Sequence, residues 1–300
     1  MDGVFLDKLF VDVRSPGEYA HAHIPGAHLI PLFSDEERKE VGTVYKQQGK
    51  ERALELGLQY TGRKLDLFVK EAKQLAPPIT LYCARGGMRS EATAWLFSFA
   101  GIKTERLAGG YKHFRQQVLA SFDRSWRLER VAGLTGTGKT EELHRLRERG
   151  CQVVDLEALA SHRGSVFGAR FDAQGSQPQP SNEHFENLIA ASLSRFDPEV
   201  PIYVEDESRM IGTCKIPDAF FTQMKSAPCH ILDCPFQERV ERLYMTYGSL
   251  PQEFLIAGVK KLSKRLGTER ASYLSSLISH GEIKEAIAAI LPYYDAAYLH

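Results

Sequence analysis

Short apolar runs alternate with segments of mixed polar and apolar residues along the whole chain. The apolar runs predict strands at Leu9–Val13, Ile79–Tyr82, Lys103–Leu107, Arg127–Ala132, Gln152–Leu156, Ile202–Val204 and His230–Leu232. Amphipathic segments between them predict helices, for example Ser90–Ala100 and Glu141–Arg149. Gly101 and Gly150 follow these two segments, at the position where helices often end. The alternation predicts an α/β protein with parallel sheets.

A change of pattern near Ser121–Trp126 predicts a domain boundary. A chain of 300 residues has room for two domains of about 150 residues each. We therefore predict one domain over residues 1–122 and a second over residues 123–300, the latter with a C-terminal helical segment. The stretch Asp172–Pro180 is rich in Gln, Gly, Ser and Pro, which is typical of an exposed loop within the second domain.

Composition narrows the possible classes of protein. No run of ~18 apolar residues exists and the N-terminus does not read as a signal peptide, so neither a membrane span nor secretion is expected. The net charge is zero, so any nucleic-acid contact must use local basic patches. The five cysteines include no C-x-x-C pair, which argues against a zinc site or a disulfide framework and indicates a reducing cytoplasm.

One cysteine, Cys83, comes directly after a predicted strand and before a predicted helix that Ser90 would cap. Backbone N–H groups and the helix dipole at such a position favour a thiolate. The following glycines allow N–H groups to curl around an anion, and the arginines add positive charge, which argues against a merely buried cysteine. The pattern predicts a low-pKa nucleophile in a catalytic site made of Cys83, Arg85, Gly86, Gly87 and Arg89.

A second motif, G-x-x-x-x-G-K-[ST], lies between a predicted strand and a predicted helix, the context that a phosphate-binding loop requires. Its glycines expose N–H groups to phosphate oxygens, its lysine supplies a charge, and its final hydroxyl can hold a magnesium ion. The predicted cofactor-binding residues of this loop are Gly133, Thr135, Gly136, Thr137, Gly138, Lys139 and Thr140.

An acidic group, Glu205-Asp206-Glu207, follows the strand Pro201–Val204. Phosphate-loop proteins place their magnesium carboxylate at such a strand end. Asp206 or Glu205 can serve, and the sequence does not choose between them. Asp206 is predicted as a cofactor-binding residue together with those of the loop. The alternative is a solvated acidic turn. No separate set of metal-ligating residues is predicted.

Two further segments leave alternatives open. His162-Arg163-Gly164-Ser165 either binds phosphate or RNA backbone, or is a turn with a solvated arginine. The basic stretch Lys260–Arg270 is either an RNA contact or a solvated face. The apolar stripe of the same stretch is expected to be part of the core: Leu255, Ile256, Val259, Leu262 and Leu266. The other cysteines are expected to be packing residues: Cys151, Cys214, Cys229 and Cys234.

Asp12–Tyr19 and His23–Ala27, taken with Cys83, resemble the rhodanese family. In that family a parallel α/β domain carries a catalytic cysteine that takes sulfur or selenium. The resemblance implies that Asp12 and Arg14 form a buried supporting pair. Ala22 departs from the glycine common before the histidine, with little expected consequence.

The order of segments from about Asp12 to about Tyr247, including Val41–Lys46, Gly109–Arg115 and Asp155–Gly168, closely resembles the tRNA 2-selenouridine synthase family, a rhodanese domain fused to a P-loop NTPase-like α/β domain. The resemblance implies replacement of sulfur by selenium in wobble 2-thiouridine. Its implied substrates are selenophosphate from a supplying enzyme, geranyl diphosphate, and tRNAs of the Lys, Glu and Gln isoacceptors. The implied route passes through S-geranyl-2-thiouridine, with Cys83 carrying selenium.

Members of the family are expected to have an aromatic residue where this chain has Ala84. The difference should affect loop packing or substrate access more than the role of the cysteine. Two other functions stay open. A plain sulfurtransferase with a nucleotide-regulated phosphate-loop domain would cleave thiosulfate without tRNA. A nucleotide-binding module with Cys83 as a redox sensor would be oxidised reversibly without turnover.

Overall fold

A computed structural model describes residues 8–298, except 166, 169, 170, 173, 174 and 177. Strands and helices alternate in the first part of the chain, in agreement with the apolar pattern. The elements are β1 (Leu9–Asp12), α1 (Pro16–His21), β2 (His28–Leu29), α2 (Asp35–Gln48), α3 (Lys50–Gly62), α4 (Leu65–Ala72), β3 (Ile79–Tyr82), α5 (Met88–Phe99), β4 (Thr104–Arg106) and α6 (Gly110–Phe122).

The second part repeats the alternation and ends in helices. Its elements are β5 (Leu128–Ala132), α7 (Lys139–Glu148), β6 (Gln152–Val154), α8 (Leu156–Leu159), β7 (Phe171–Asp172), β8 (Gly175–Ser176), α9 (Asn182–Leu193), β9 (Ile202–Glu205), β10 (Met210–Ile211), β11 (Cys214–Lys215), α10 (Asp218–Ser226), β12 (Cys229–Ile231), α11 (Phe236–Tyr247), α12 (Gln252–Leu266), α13 (Thr268–Ser279) and α14 (Ile283–Tyr298).

Two four-stranded sheets carry the fold, in the orders β2-β1-β3-β4 and β12-β5-β9-β6. Neighbouring strands in both sheets run parallel, so the predicted α/β class with parallel sheets is confirmed. The strands predicted from the sequence are all present, with several ends shifted by one or two residues. Gln152–Leu156 ends as a strand at Val154 because the Asp155 side chain accepts a hydrogen bond from Ala158 N at 2.8 Å and caps α8.

The order of strands fixes where the chemistry lies. Parallel strands end at the same edge of a sheet, and ligands bind outside those carboxyl ends. In the first sheet the fully buried strand β3 leads directly into Cys83. In the second sheet β5 leads into the phosphate loop and pairs with β9, so that Val131 stands opposite Glu205.

The chain forms two compact units, each made of two separate stretches of sequence. Residues Met1–Arg124 and Pro180–Arg195 make up unit 1, and Ser125–Gln179 with Phe196–His300 makes up unit 2. The predicted domains, residues 1–122 and 123–300, stay a prediction. They are two continuous ranges, whereas the segment Pro180–Arg195 belongs to unit 1 although it lies late in the chain. Helix α9, which follows the phosphate loop in sequence, thus packs with the unit that carries Cys83.

The predicted exposed loop Asp172–Pro180 is only partly described. Its described backbone contributes to a two-stranded antiparallel sheet, in which Phe171–Asp172 pairs with Gly175–Ser176. Ala173, Gln174 and Gln177 lie outside the described residues, as does Val166 of the segment Asp155–Gly168. Among the described helices, none has the length and apolar character needed to cross a membrane.

Candidate functional site

The loop after β3 brings Cys83 to the first turn of α5. The helix begins at Met88 with Gly87 as its N-cap, so the prediction that Ser90 caps the helix is wrong. Ser90 instead lies one turn inside, where its hydroxyl donates to Gly87 O at 3.1 Å. The same oxygen lies 3.3 Å from Cys83 Sγ. The serine is therefore a direct neighbour of the sulfur, a role that the sequence pattern does not indicate.

Cys83 is only 4% exposed, so the expectation that its polar neighbours keep it from burial is wrong. Burial alone would raise the pKa of the thiol. Hydrogen bonds from the Ser90 hydroxyl, the Ser90 backbone and the Arg85 backbone, together with the charge of Arg89, outweigh burial and lower the pKa below its ordinary value. The loop thus favours a thiolate, as the glycines and arginines indicate.

The two predicted arginines have different surroundings. Arg89 Nη1 donates to Glu18 Oε2 at 2.9 Å, and Arg38 Nε lies 3.5 Å from the same carboxylate oxygen. Burial raises the pKa of Glu18, but these partners prevail and lower it, so Glu18 is an ionised partner of Arg89 near the cysteine. Arg85 has an exposed side chain and contributes to the thiolate through its backbone.

Glycines hold the cysteine loop against the start of α6. Gly86 (φ +66°) and Gly110 (φ +60°) adopt left-handed backbone conformations. A Cβ on Gly110 would lie 2.3 Å from both Cys83 O and Gly86 N. Tyr111 N donates to Cys83 O at 2.9 Å. The Gly109-Gly110 turn is therefore the surface on which the cysteine loop rests, and only glycine fits there.

Asp12 and Arg14 form the buried pair that the rhodanese resemblance implies. Arg14 Nη2 lies 2.6 Å from Asp12 Oδ2, with both side chains nearly inaccessible. The guanidinium also donates to Ala22 O at 2.7 Å and lies 3.9 Å from the centre of the Tyr111 ring. The pair ties β1 to α1 and α6, which agrees with a supporting role.

The phosphate-loop motif has the context that its sequence predicts. It joins β5 to α7, and Lys139 is the first residue of the helix. Gly136 (φ +84°) and Gly138 (φ +92°) have left-handed conformations. Lys139 is 8% exposed and its ammonium donates to Gly133 O at 3.1 Å. Backbone N–H groups at this helix start can donate hydrogen bonds to an anionic ligand, and Thr135 and Thr140 line the same space. The Thr137 hydroxyl instead donates to Leu134 O at 2.9 Å.

Three carboxylates converge beside the loop, and Asp206 is not one of them. The side chains of Glu157, Glu205 and Glu207 bring one oxygen each within 4.8 Å of one another. Burial raises the pKa of all three, and repulsion from Glu205 and Glu207 adds to the effect at Glu157. Asp206 Oδ1 is instead engaged by Arg130 at 2.9 Å and Lys225 at 2.8 Å.

This geometry favours Glu205 over Asp206, two candidates that the sequence left open. Glu205 Oε2 is buried and has no hydrogen-bond partner within the described part of the chain. The ion pairs of Asp206 lower its pKa against the opposing effect of burial and turn the carboxylate toward two cations. Glu157 comes from α8, far from the acidic strand end in sequence, so no local pattern pointed to it.

Two arginines of α11 donate hydrogen bonds to backbone carbonyl groups of the phosphate loop. Arg239 Nε donates to Thr135 O at 2.8 Å, and the guanidinium also pairs with Asp295. Arg242 Nη1 donates to Gly136 O at 2.8 Å. Neither residue belongs to a motif, because their role depends on the packing of a helix that lies about a hundred positions downstream.

The loop borders a cleft of about 760 Å³ in unit 2. Besides the phosphate loop and the three glutamates, Arg163, Gly164, Ser165 and Arg265 line this cleft. Gly164 (φ +68°) lies so close to Glu157 and Glu207 that a Cβ would be 2.8 Å and 3.0 Å from their oxygens. The sequence allowed two interpretations of His162–Ser165, a binding segment or a solvated turn. In the structure the segment contributes to the cleft.

The remaining predictions on packing have mixed outcomes. Leu255, Val259 and Leu262 are buried in one apolar cluster against which Ile256 and Leu266 pack, so the predicted core stripe is confirmed. Cys214 is buried and Cys151 and Cys234 are half-buried, but Cys229 is exposed on the edge strand β12, so its assignment to packing is wrong.

Comparison with known proteins agrees with both halves of this description. Residues 3–117 match the family model of the rhodanese-like domain, and residues 127–300 match that of the tRNA 2-selenouridine synthase AAA domain. The chain belongs to the tRNA 2-selenouridine synthase family. The rhodanese and P-loop resemblances of the two parallel-sheet domains are thereby confirmed.

Individual relatives match over most of the chain. The tRNA 2-selenouridine synthase of Aeromonas salmonicida is 34% identical over 99% of this chain and 88% of its own length. The synthase of Marinobacter nauticus is 33% identical over 98% of this chain and 89% of its own length. The synthase of Pseudomonas putida W619 is 39% identical over 89% of this chain and 74% of its own length. A crystal structure of the N-terminal domain of a Clostridium difficile protein shares 46% identity over 37% of the chain, with a TM-score of 0.36.

Proposed function

We propose that this chain is an enzyme that replaces the sulfur of wobble 2-thiouridine in tRNA by selenium, with selenophosphate as the selenium donor. Family membership over nearly the full length supports the reaction and the tRNA substrate. We further propose a route through S-geranyl-2-thiouridine, made from geranyl diphosphate. The observation that carries the proposal is the presence in one chain of a thiolate site at Cys83 and a phosphate-binding cleft at Lys139.

The first step is assigned to the phosphate loop of unit 2. The sulfur of 2-thiouridine attacks C1 of geranyl diphosphate, a carbon–sulfur bond forms, the carbon–oxygen bond breaks, and inorganic diphosphate leaves. No nucleoside triphosphate is consumed. The chemistry demands stabilisation of the leaving diphosphate, which the Lys139 ammonium and the N–H groups at the start of α7 can provide.

A divalent cation fits the residues beside this loop. Glu157, Glu205 and Glu207 supply oxygen ligands of the kind that Mg²⁺ prefers. The buried and unpartnered Glu205 Oε2 is difficult to reconcile with a site made for hydrogen bonds alone. Thr140 can add its hydroxyl, as in other phosphate loops. When bound, the cation would neutralise charge on the diphosphate.

The selenium step is assigned to the cysteine loop of unit 1. Selenophosphate is an oxyanion, and the loop offers backbone N–H groups beside a sulfur whose pKa is lowered. We assign Cys83 the handling of the incoming selenium. Water breaks the phosphorus–selenium bond and releases phosphate, selenide forms a bond to C2 of the uridine, and the geranylated sulfur leaves as geranylthiol. Ser90 and Arg89 lower the pKa of the sulfur, and Glu18 orients Arg89.

The test is nucleoside mass spectrometry of tRNA from cells that lack the gene and are complemented with one of three variants. Wild type should restore 2-selenouridine. Cys83→Ser should abolish 2-selenouridine but leave geranylated 2-thiouridine, and Lys139→Ala should lose both. Equal 2-selenouridine in all three strains would contradict the mechanism. Thiosulfate cleavage by the purified protein, without any effect on tRNA, would favour a plain sulfurtransferase instead.

A further inference from the structure

Helices α12, α13 and α14 enclose an apolar recess of their own. Leu255, Val259, Leu274, Ile278, Ala286 and Ile290 are all buried in the cluster that these helices share, and all six line the recess. Its volume is about 60 Å³, room for roughly four to six water-sized groups. Protein interiors are normally packed without voids of this size, so the recess is a feature to be explained.

The recess opens toward the phosphate loop. Thr135, Ser165, Leu243, Tyr247 and Tyr294 line both the apolar recess and the polar cleft that contains Lys139. One ligand can therefore occupy both spaces, with an anionic group at the loop and an apolar group among the helices. The polar cleft and the apolar recess together describe a molecule with a charged head and a hydrocarbon tail.

Tyr247, which lines both spaces, lies beside Phe167, which lines the recess. Their ring centres are 6.3 Å apart, and Tyr247 OH lies 3.4 Å from Ser165 Oγ. Phe167 packs against α12 at Gly258, where a Cβ would come within 2.5 Å of the ring. The absence of a side chain at Gly258 thus lets an aromatic wall be placed beside the mouth of the recess.

The lining also discriminates against the other common partner of a phosphate loop, a nucleotide. A purine or pyrimidine base carries hydrogen-bonding groups that the six aliphatic side chains cannot satisfy, and burying such groups without partners is costly. A hydrocarbon chain has no polar group to leave without a partner, and its entry is favoured in proportion to the apolar area that it buries.

We propose that this recess receives the distal isoprene unit of a prenyl diphosphate whose diphosphate lies at the phosphate loop. The volume accommodates about the five carbons of one such unit. The proposal rests on the prenyl transfer of the proposed function and adds the place where chain length is sensed. A five-carbon chain stays in the mouth, a ten-carbon chain fills the recess, and a fifteen-carbon chain exceeds it.

The test measures prenyl transfer to a 2-thiouridine-containing tRNA from dimethylallyl, geranyl and farnesyl diphosphates. Ala286→Leu fills the recess, and Ala288→Leu, on the same helix but outside the lining, is the matched control. Ala286→Leu should lower kcat/KM for geranyl diphosphate by about tenfold, the effect of losing burial of roughly two methylene groups. Transfer from dimethylallyl diphosphate and inhibition by pyrophosphate should change less than about twofold in both variants, which also verifies that they fold.

A second variant tests the opposite direction. Ile287→Ala removes side-chain volume from the lining and should raise the farnesyl-to-geranyl ratio of kcat/KM. Equal chain-length profiles for wild type, Ala286→Leu and Ile287→Ala would overturn the assignment of the recess while leaving prenyl transfer intact. Absence of transfer from all three diphosphates by the wild-type enzyme would overturn the proposed geranylation step and this inference with it.

Discussion

The hydroxyl oxygen of Ser90 lies 3.3 Å from the sulfur of Cys83 and also donates to Gly87 O. A serine hydroxyl has one proton to donate, so ionisation of Cys83 is expected to draw that proton from the carbonyl to the sulfur. The helix start thus contains a hydroxyl whose hydrogen bond depends on the charge of the nucleophile.

Ser90→Ala should raise the pKa of Cys83, because burial would then be opposed only by backbone N–H groups and Arg89. The thiolate is the reactive form, so alkylation by iodoacetamide at neutral pH should slow by about tenfold, in line with the loss of one hydrogen bond to a charged group. The pH dependence of the alkylation rate measures both effects. Ser98→Ala, an exposed change on the same helix, is the control, and identical pH profiles for the two variants would contradict the role of Ser90.

Gly110→Ala should destabilise unit 1 and disable the cysteine loop. The added Cβ meets the backbone of Cys83 and Gly86, and the left-handed φ of Gly110 adds strain. We expect a loss of at least about 1–3 kcal/mol in the free energy of unfolding, measured by urea denaturation. Gly62→Ala, where nothing lies within 4 Å of the new Cβ, should be neutral or slightly stabilising. Equal stability of the two variants would show that the loop does not depend on this contact.

Glu205→Gln should weaken the effect of Mg²⁺ on pyrophosphate binding by about tenfold or more, since loss of even an outer-shell metal partner typically costs this much. Asp206→Asn is the matched control, because Asp206 is paired with Arg130 and Lys225 and does not belong to the cluster of three glutamates. Titration calorimetry with and without Mg²⁺ separates the two. A larger loss in Asp206→Asn than in Glu205→Gln would return the magnesium assignment to Asp206.

Asn187→Ala should destabilise unit 1 by about 2–3 kcal/mol, because several buried groups lose their partner at once. Asn187 is fully buried; its amide donates to His23 O and Tyr111 OH at 2.9 Å each and accepts from Arg115 at 2.6 Å. Thermal unfolding of the full chain measures the change. Asn182→Ala, at the exposed start of the same helix, should alter stability by less than about 0.5 kcal/mol, and equal effects would argue against this network.

The sequence predicted best where one local rule decides the outcome. Ile79–Tyr82 is largely apolar because both faces of a central parallel strand are buried. The phosphate loop was found because its backbone geometry requires glycines at fixed spacing. The N-cap of α5 was misplaced because serine is a common cap, whereas Gly87 takes that position and leaves Ser90 free to approach the sulfur.

Features built from distant segments were not predicted. Glu157 reaches Glu205 only because β6 pairs with β9 and α8 follows directly after β6. Arg239 and Arg242 reach the phosphate loop from a helix whose own pattern is merely amphipathic. No spacing rule links such residues, because the sheet order that brings them together is itself a property of the whole domain.

Helix α9 has a consequence for how this protein can be divided. A gene fragment encoding residues 1–124 would produce the cysteine-bearing sheet without the helix that supplies Asn187 to Tyr111, Arg115 and His23. The segment Pro180–Arg195 is encoded inside the phosphate-loop half, so a break at the apparent junction damages both products. The two halves are therefore expected to be inherited together. Recombination that replaced the rhodanese-like half by a single-domain rhodanese would leave α9 in the phosphate-loop half without the residues against which it packs.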